Sequence, residues 1–162
     1  MKQENRISRL VTKVKSFPMG GKLLNLLMGR MIPFVGTSGL EILEMTENRL
    51  VVRIENRRKI RNHIGQVHAA AMILLGETAS GLLVGMNVSD ECLPLIKEMN
   101  SKFIKRSQGA MTATATIRPE DRALFQSEKG EIPVIVEVRD EVGEEPILIQ
   151  TIWAWVPKKK KE

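Results

Sequence analysis

The sequence predicts an α+β fold in which one long buried helix is crossed by five or six antiparallel strands. Three observations predict it. Residues 66–84 place apolar side chains all the way round a helix, in the run Ala69, Ala70, Ala71, Met72, Ile73, Leu74, Leu75, and a helix apolar on every side is a buried one. Later segments alternate apolar and polar residues with the period of two that belongs to a half-buried strand. Proline and glycine punctuate these segments without building a linker, and no internal repeat is visible. A single helix laid on a long, curved antiparallel sheet satisfies all three.

Taken in order, residues 4–31 read as helical, with Ile7, Leu10, Val11 and Val14 at i, i+3, i+4 and i+7. Pro18, Gly20 and Gly21 break the run. Residues 22–31 resume it through Leu23, Leu24, Leu26, Leu27 and Met28, and Pro33 with Gly36 and Gly39 ends it. Residues 40–45 and 50–55 read as two strands of a hairpin joined through Thr46-Glu47-Asn48-Arg49. A basic, polar connection, residues 56–63, leads into the apolar helix. Beyond it, residues 100–105 and 110–117 read as strands; in the second, Thr112, Thr114 and Thr116 share one face and Met111, Ala113, Ala115 and Ile117 the other. Pro119, Glu120 and Asp121 suit the first turn of a short helix that Gly130 stops. Residues 132–140 and 147–156 close the set as strands. The expected organisation is an N-terminal helical extension (1–37), one main domain (38–157) and a basic tail (158–162).

At 162 residues, 43% of them hydrophobic, the chain can bury a core without staples. Cys92 is its one cysteine, so neither an intrachain disulfide nor a cysteine-based zinc site can form, and with two histidines, His63 and His68, no metal is expected. Half of the formal net charge of +6 comes from the last five residues, four lysines less one glutamate, which suit a solvated end. The body is only modestly basic, aromatics are 4% with no tyrosine, and no recognition motif is visible; nucleic-acid binding is not expected. Residues 1–15 carry charges throughout and lack the apolar core of a secretory signal. The most apolar stretch, 64–89, holds Gln66, His68, Glu77, Thr78, Ser80 and Asn87, too many polar groups for a comfortable membrane span. These features predict a soluble, cytoplasmic protein with no stable membrane insertion.

Between Ile64 and Ser89 one residue is formally charged, Glu77, and no lysine or arginine shares its helix. Ionised carboxylates are rarely buried without a partner. The bland account is a side chain that points to solvent or caps something across the core; the functional one is a base or nucleophile beside a substrate, its pKa set by its surroundings. At the start of the helix, Asn62, Gly65, Gln66 and His68 lead into Ala69 and Ala70. Small side chains leave backbone N–H groups accessible there, and with the helix dipole these suit a developing oxyanion. Asn62 offers a further amide donor; a lone histidine such as His68 is more often structural than catalytic. Ala69 and Glu77 lie eight residues apart, roughly 12 Å along a helix, so one carbonyl cannot touch both. If both act together, they come from two chains of a two-fold dimer.

The segment Asn62-His63-Ile64-Gly65-Gln66-Val67-His68-Ala69-Ala70-Ala71, followed by Leu74-Leu75-Gly76-Glu77-Thr78-Ala79-Ser80-Gly81, resembles the helix motif of the hotdog-fold acyl-CoA thioesterases. That motif is roughly N-x-x-G-x-x-H-G-G-x-x-x-x-L-A-[DE]-x-A. The closest likeness is to a subgroup catalogued as a domain of unknown function, similar to phenylacetate-type thioesterases. It covers about residues 38–156, including the aromatic last strand Trp153-Ala154-Trp155. Two departures stand out: Ala69-Ala70 replaces the glycine pair, and Gly76 replaces the usual alanine.

The resemblance implies hydrolysis of an acyl-CoA or acyl-carrier thioester by a homodimer or a homotetramer. Coenzyme A would enter as part of the substrate and no separate cofactor is needed. Glu77 matches the general base or nucleophile, the Ala69 N–H matches the oxyanion hole, and Asn62 matches the residue that orients thioester or water. Gly65, Gln66 and Ala70 would line the substrate and the pantetheine arm would run between subunits; the basic run Arg57, Arg58, Lys59 and Arg61 reads first as a solvated connector, as charge runs usually are, and second as a contact for the coenzyme A phosphates. The alternatives are a non-catalytic acyl-thioester, lipid-binding or sensor protein, and an enoyl-CoA hydratase using His68 and Glu77 as an acid–base pair.

Overall fold

The computed structural model describes residues 5–159. Three helices, α1 (Arg6–Lys15), α2 (Gly20–Met31) and α3 (Pro33–Ser38), precede the hairpin β1 (Leu40–Met45) and β2 (Arg49–Ile54). A 3-10 turn, Arg58–Ile60, leads to α4 (Ala69–Asn87). Then follow β3 (Cys92–Phe103), β4 (Met111–Thr116), a second 3-10 segment (Pro119–Gln126), β5 (Gly130–Asp140) and β6 (Ile147–Pro157). The strands form one antiparallel sheet in the order β1-β2-β4-β5-β6-β3.

The core lies between the sheet and α4. Leu75, Ala79 and Leu83 of the helix are fully enclosed against inward residues such as Val52, Met111, Ala113 and Ile149. The threonines of β4 face away, as the alternation predicts. Burial on nearly every side explains why α4 has almost no amphipathic character. The same helix is long and apolar enough to cross a membrane, but most of it is packed inside the protein, as in a core helix.

Two glycines set how closely α4 meets β6. A Cβ on Gly76 would lie 2.5 Å from Ile149 Cδ1, and one on Gly81 would lie 2.6 Å from Trp153 Cη2. The Trp153 indole N–H donates to Ser80 Oγ at 3.0 Å, and Ser80 donates back to the Gly76 carbonyl at 3.0 Å. Ile149 therefore accounts for glycine, rather than alanine, at position 76.

Several boundaries differ from the sequence expectation. Helix α4 starts at Ala69, not 66, because His68 caps it, and it continues to Asn87, since residues 85–87 contain no breaker strong enough to stop a packed helix. Pro33 opens a third short helix instead of ending the second, and Gly39, at φ +68°, closes it. The segment after Pro119 is a 3-10 helix ending at Gln126. Strand β3 runs twelve residues, from Cys92, where only 100–105 was expected. Both of its faces are largely exposed, so it carries no alternation, and its extended form comes from pairing with β6. Lys158 is not a free tail residue: its N–H donates to the Glu91 carbonyl at 2.8 Å and its ammonium to the Asp90 carbonyl at 2.6 Å. Lys160, Lys161 and Glu162 lie outside the described residues.

Candidate active site

The approach to α4 is built from its own side chains. Asn62 Oδ1 accepts from the N–H groups of Ile64 (3.1 Å) and Gln66 (3.0 Å), and the Asn62 N–H donates to the Gln66 carbonyl at 2.8 Å. Gly65 turns this loop at φ +79°, a conformation that favours glycine. Asn62 Nδ2 meets no acceptor among the described residues. The His68 N–H donates to the Ile60 carbonyl at 2.8 Å, and His68 Nδ1 accepts the Ala70 N–H at 3.0 Å, a side-chain N-cap. That bond commits Nδ1 as an acceptor and leaves Nε2 as the remaining ring nitrogen. The Ala69 N–H has no acceptor among the described residues, and Ala69 and Ala70 are both exposed. The helix thus presents one free N–H at its positive end.

Glu77 sits two turns further on, half-buried, on the stripe Ile73, Glu77, Gly81 that the sheet leaves partly open. Burial lifts its carboxyl pKa above the ordinary value; the Thr78 hydroxyl, 3.5 Å from Oε2, pulls weakly the other way. Among the described residues no cation pairs with it. A carboxylate whose pKa is raised by desolvation is a stronger base than a free one and is suited to accept a proton. Thr78 and Ser80 divide here: Thr78 reaches the carboxylate, while Ser80 serves the helix carbonyls and Trp153.

The family of the Domain of unknown function (DUF4442) matches residues 20–156. The chain belongs to this family. No curated protein matches it. Among solved structures, it is similar to a protein of unknown function from Pseudomonas aeruginosa described as a probable thioesterase, at 24% identity and a TM-score of 0.76, over 88% of this chain and 97% of that one. A thioesterase from Haemophilus influenzae shares 15% identity with a TM-score of 0.71, over 88% and 94% of the two chains. A thioesterase family protein from Silicibacter pomeroyi shares 14% identity with a TM-score of 0.69, over 92% and 99%. The likeness at these identities is one of fold, and the fold is the hotdog fold, as the helix motif implied.

Within this DUF4442 chain the basic connector has mostly local duties. The Arg57 guanidinium donates to the carbonyls of Ser38 (3.0 Å) and Gly39 (2.9 Å), closing the end of α3. Arg61 donates to the side chain (3.0 Å) and carbonyl (2.7 Å) of Asn56, whose amide holds the Gly65 carbonyl at 3.1 Å. Arg58 and Lys59 are exposed without partners among the described residues; with Arg57 they line a cleft of about 450 Å³ against residues 36–39. Of the four cations expected at phosphates, Arg57 and Arg61 are thus already engaged. Sequence reasoning did not see the Trp153–Ser80 bond that fixes the helix beside Glu77. Its signal was the paired tryptophans two residues apart, which put both indoles on the inner face. Among the described residues no cluster of three or more His, Cys, Asp or Glu is placed to hold a metal ion.

Proposed function

We propose that the protein hydrolyses an acyl-CoA or acyl-carrier thioester. The observation that carries this reading is Glu77: half-buried, raised in pKa by burial, and set in a helix whose first N–H, like the carboxylate itself, has no partner of opposite character among the described residues beyond the Thr78 hydroxyl. Glu77 activates a water, which attacks the thioester carbonyl; the Ala69 N–H stabilises the tetrahedral oxyanion; the thiolate leaves and takes up a proton. The Asn62 amide orients water or thioester. The names of the similar structures support the reaction class.

One chain does not bring these groups to one carbonyl, since Ala69 and Glu77 are roughly 12 Å apart along α4. The working unit in this proposal is a homodimer formed through β3. Among the described residues that strand ends the sheet and is paired on one side only, and it exposes Leu93, Leu95 and Ile96. Ala69 of one protomer and Glu77 of its partner then share a site.

A second reading is a binding module without turnover. It is favoured by the methyl groups of Ala69 and Ala70, which crowd the N–H, and by the use of the Ala70 N–H on His68. Thiol release from acyl-CoAs of graded chain length, measured beside equilibrium binding of a non-hydrolysable thioether analogue, separates the two. Release that depends on Glu77 supports hydrolysis; binding with no release sinks it. Hydration of an enoyl-CoA in the same panel would redirect the reading to the acid–base pair of His68 and Glu77.

A further inference from the structure

Residues 5–40 contain six cations and no carboxylate. Three of the cations are engaged: Arg6 and Arg9 face Asp90, and the Lys15 ammonium donates to the Met45 carbonyl at 2.7 Å. Lys13, Lys22 and Arg30 are exposed and meet no acceptor among the described residues.

The same segment shows a large apolar surface. Helix α2 buries Leu24 and Met28, so its inward face is already satisfied. Its outward row still reads Leu23, Leu26, Arg30, at helical spacing, with Lys22 beside it and exposed Met19 just before the helix. Met19 is 69% exposed and Leu26 53%. The row ends in two apolar turns: Phe17-Pro18-Met19 at one end, and Met31-Ile32-Pro33-Phe34 at the other, where Phe34 is 65% exposed. A soluble surface seldom concentrates large side chains in this way without a partner.

The surroundings indicate the partner. Helix α2 packs on β1, at the opposite end of the sheet from β3. It is also a helix, its backbone bonds largely satisfied internally, so it offers no strand edge. A short helix with an apolar outward row rimmed by unpaired cations fits the surface of a negatively charged bilayer. At twelve residues, about 18 Å, it can lie in the interface but not span it. Of the two carboxylates on β1, Glu44 pairs with Arg49, and Glu41 is exposed. We propose that the outer face of α2 and its two flanking turns dock the protein on anionic phospholipid membranes, with Lys13, Lys22 and Arg30 at the headgroups and Phe17, Leu26 and Phe34 in the acyl boundary.

The test is co-sedimentation of the full chain with vesicles of phosphatidylglycerol and phosphatidylcholine, against phosphatidylcholine alone, at low and high salt. Binding is expected only with the anionic lipid, and weaker at high salt. Lys22→Glu with Arg30→Glu, and separately Leu26→Ser with Phe34→Ser, should each lower the affinity about tenfold or more while melting stays unchanged. A chain lacking 158–162 should bind like wild type. The proposal is overturned by absence of binding to anionic vesicles, by binding that survives both double substitutions, or by binding lost with the lysine tail. It also falls if the apolar double substitution instead dissociates an oligomer seen by sedimentation velocity, since the face would then join copies of the chain. None of these outcomes depends on thioester hydrolysis.

Discussion

The sheet finishes its two edges in different ways. Strand β1 is six residues long and is closed by the chain itself: Asn25 of α2 accepts the Ile42 N–H at 2.6 Å and donates to the Ile42 carbonyl at 3.3 Å, a side-chain amide standing in for another strand. Strand β3 is twice as long, pairs among the described residues only with β6, and is largely exposed along both faces beyond the buried Cys92. Proteins usually blunt or cover free edges because unpaired backbone groups invite another strand. Here one edge is covered and the other is left long and apolar. The uncovered edge belongs to the strand beside β6, which carries Ile149 and Trp153 against the Glu77 segment of α4. That asymmetry is what supports a site completed by a second copy.

The open edge is where the largest effect is expected. Leu95→Glu with Ile96→Glu places charges along β3 without touching the core. It should give a monomer by sedimentation velocity and lower thiol release by about 10³ or more, because base and oxyanion donor are separated together. A monomer with full turnover would break the comparison. Glu77→Gln, with assembly intact, should reduce turnover by about 10²–10⁴ and change analogue binding much less; turnover within a few-fold of wild type would make Glu77 structural.

The closed edge should respond in stability only. Asn25→Leu removes both bonds to Ile42 and should cost about 1–3 kcal/mol in denaturant unfolding, leaving oligomer size and turnover unchanged. A smaller, pH-dependent effect belongs to Glu77. Its folded pKa is raised, so its protonation favours the folded state. That contribution is complete below the ordinary carboxylate range and is lost as pH rises through the raised value. Glu77→Gln should therefore melt higher than wild type at neutral pH, and the difference should vanish in acid. The smallest change is expected at Lys158→Ala, within about 0.5 kcal/mol, since its ammonium bond lies on the surface.

The buried helix was legible because burial on all sides demands apolar residues on all sides, and Glu77 was legible because it interrupts that demand. Strands β4, β5 and β6 were legible for the same reason: one face meets the core, so their sequences alternate. Strand β3 was legible only over residues 100–103. Cys92 is buried and Met99 packs against the core, but the rest of both faces is largely exposed, so its extended form is imposed by β6 rather than by its own pattern. Arg57 and Arg61 looked like ligand-binding cations, because a sequence displays charge but not which carbonyl lies within reach.

The sequence by itself determined the α+β class, the identity of the core helix, the hairpin, and the isolation of one carboxylate, since each is a property of periodicity and composition along a single stretch of chain. Tertiary structure alone decided the remainder. The Gly76 and Gly81 approach to β6, the Trp153–Ser80 bond, the Asn25 cover on β1 and the open edge of β3 all join residues far apart in sequence. Their energies depend on distances of a few ångströms across the fold, and no local pattern encodes them.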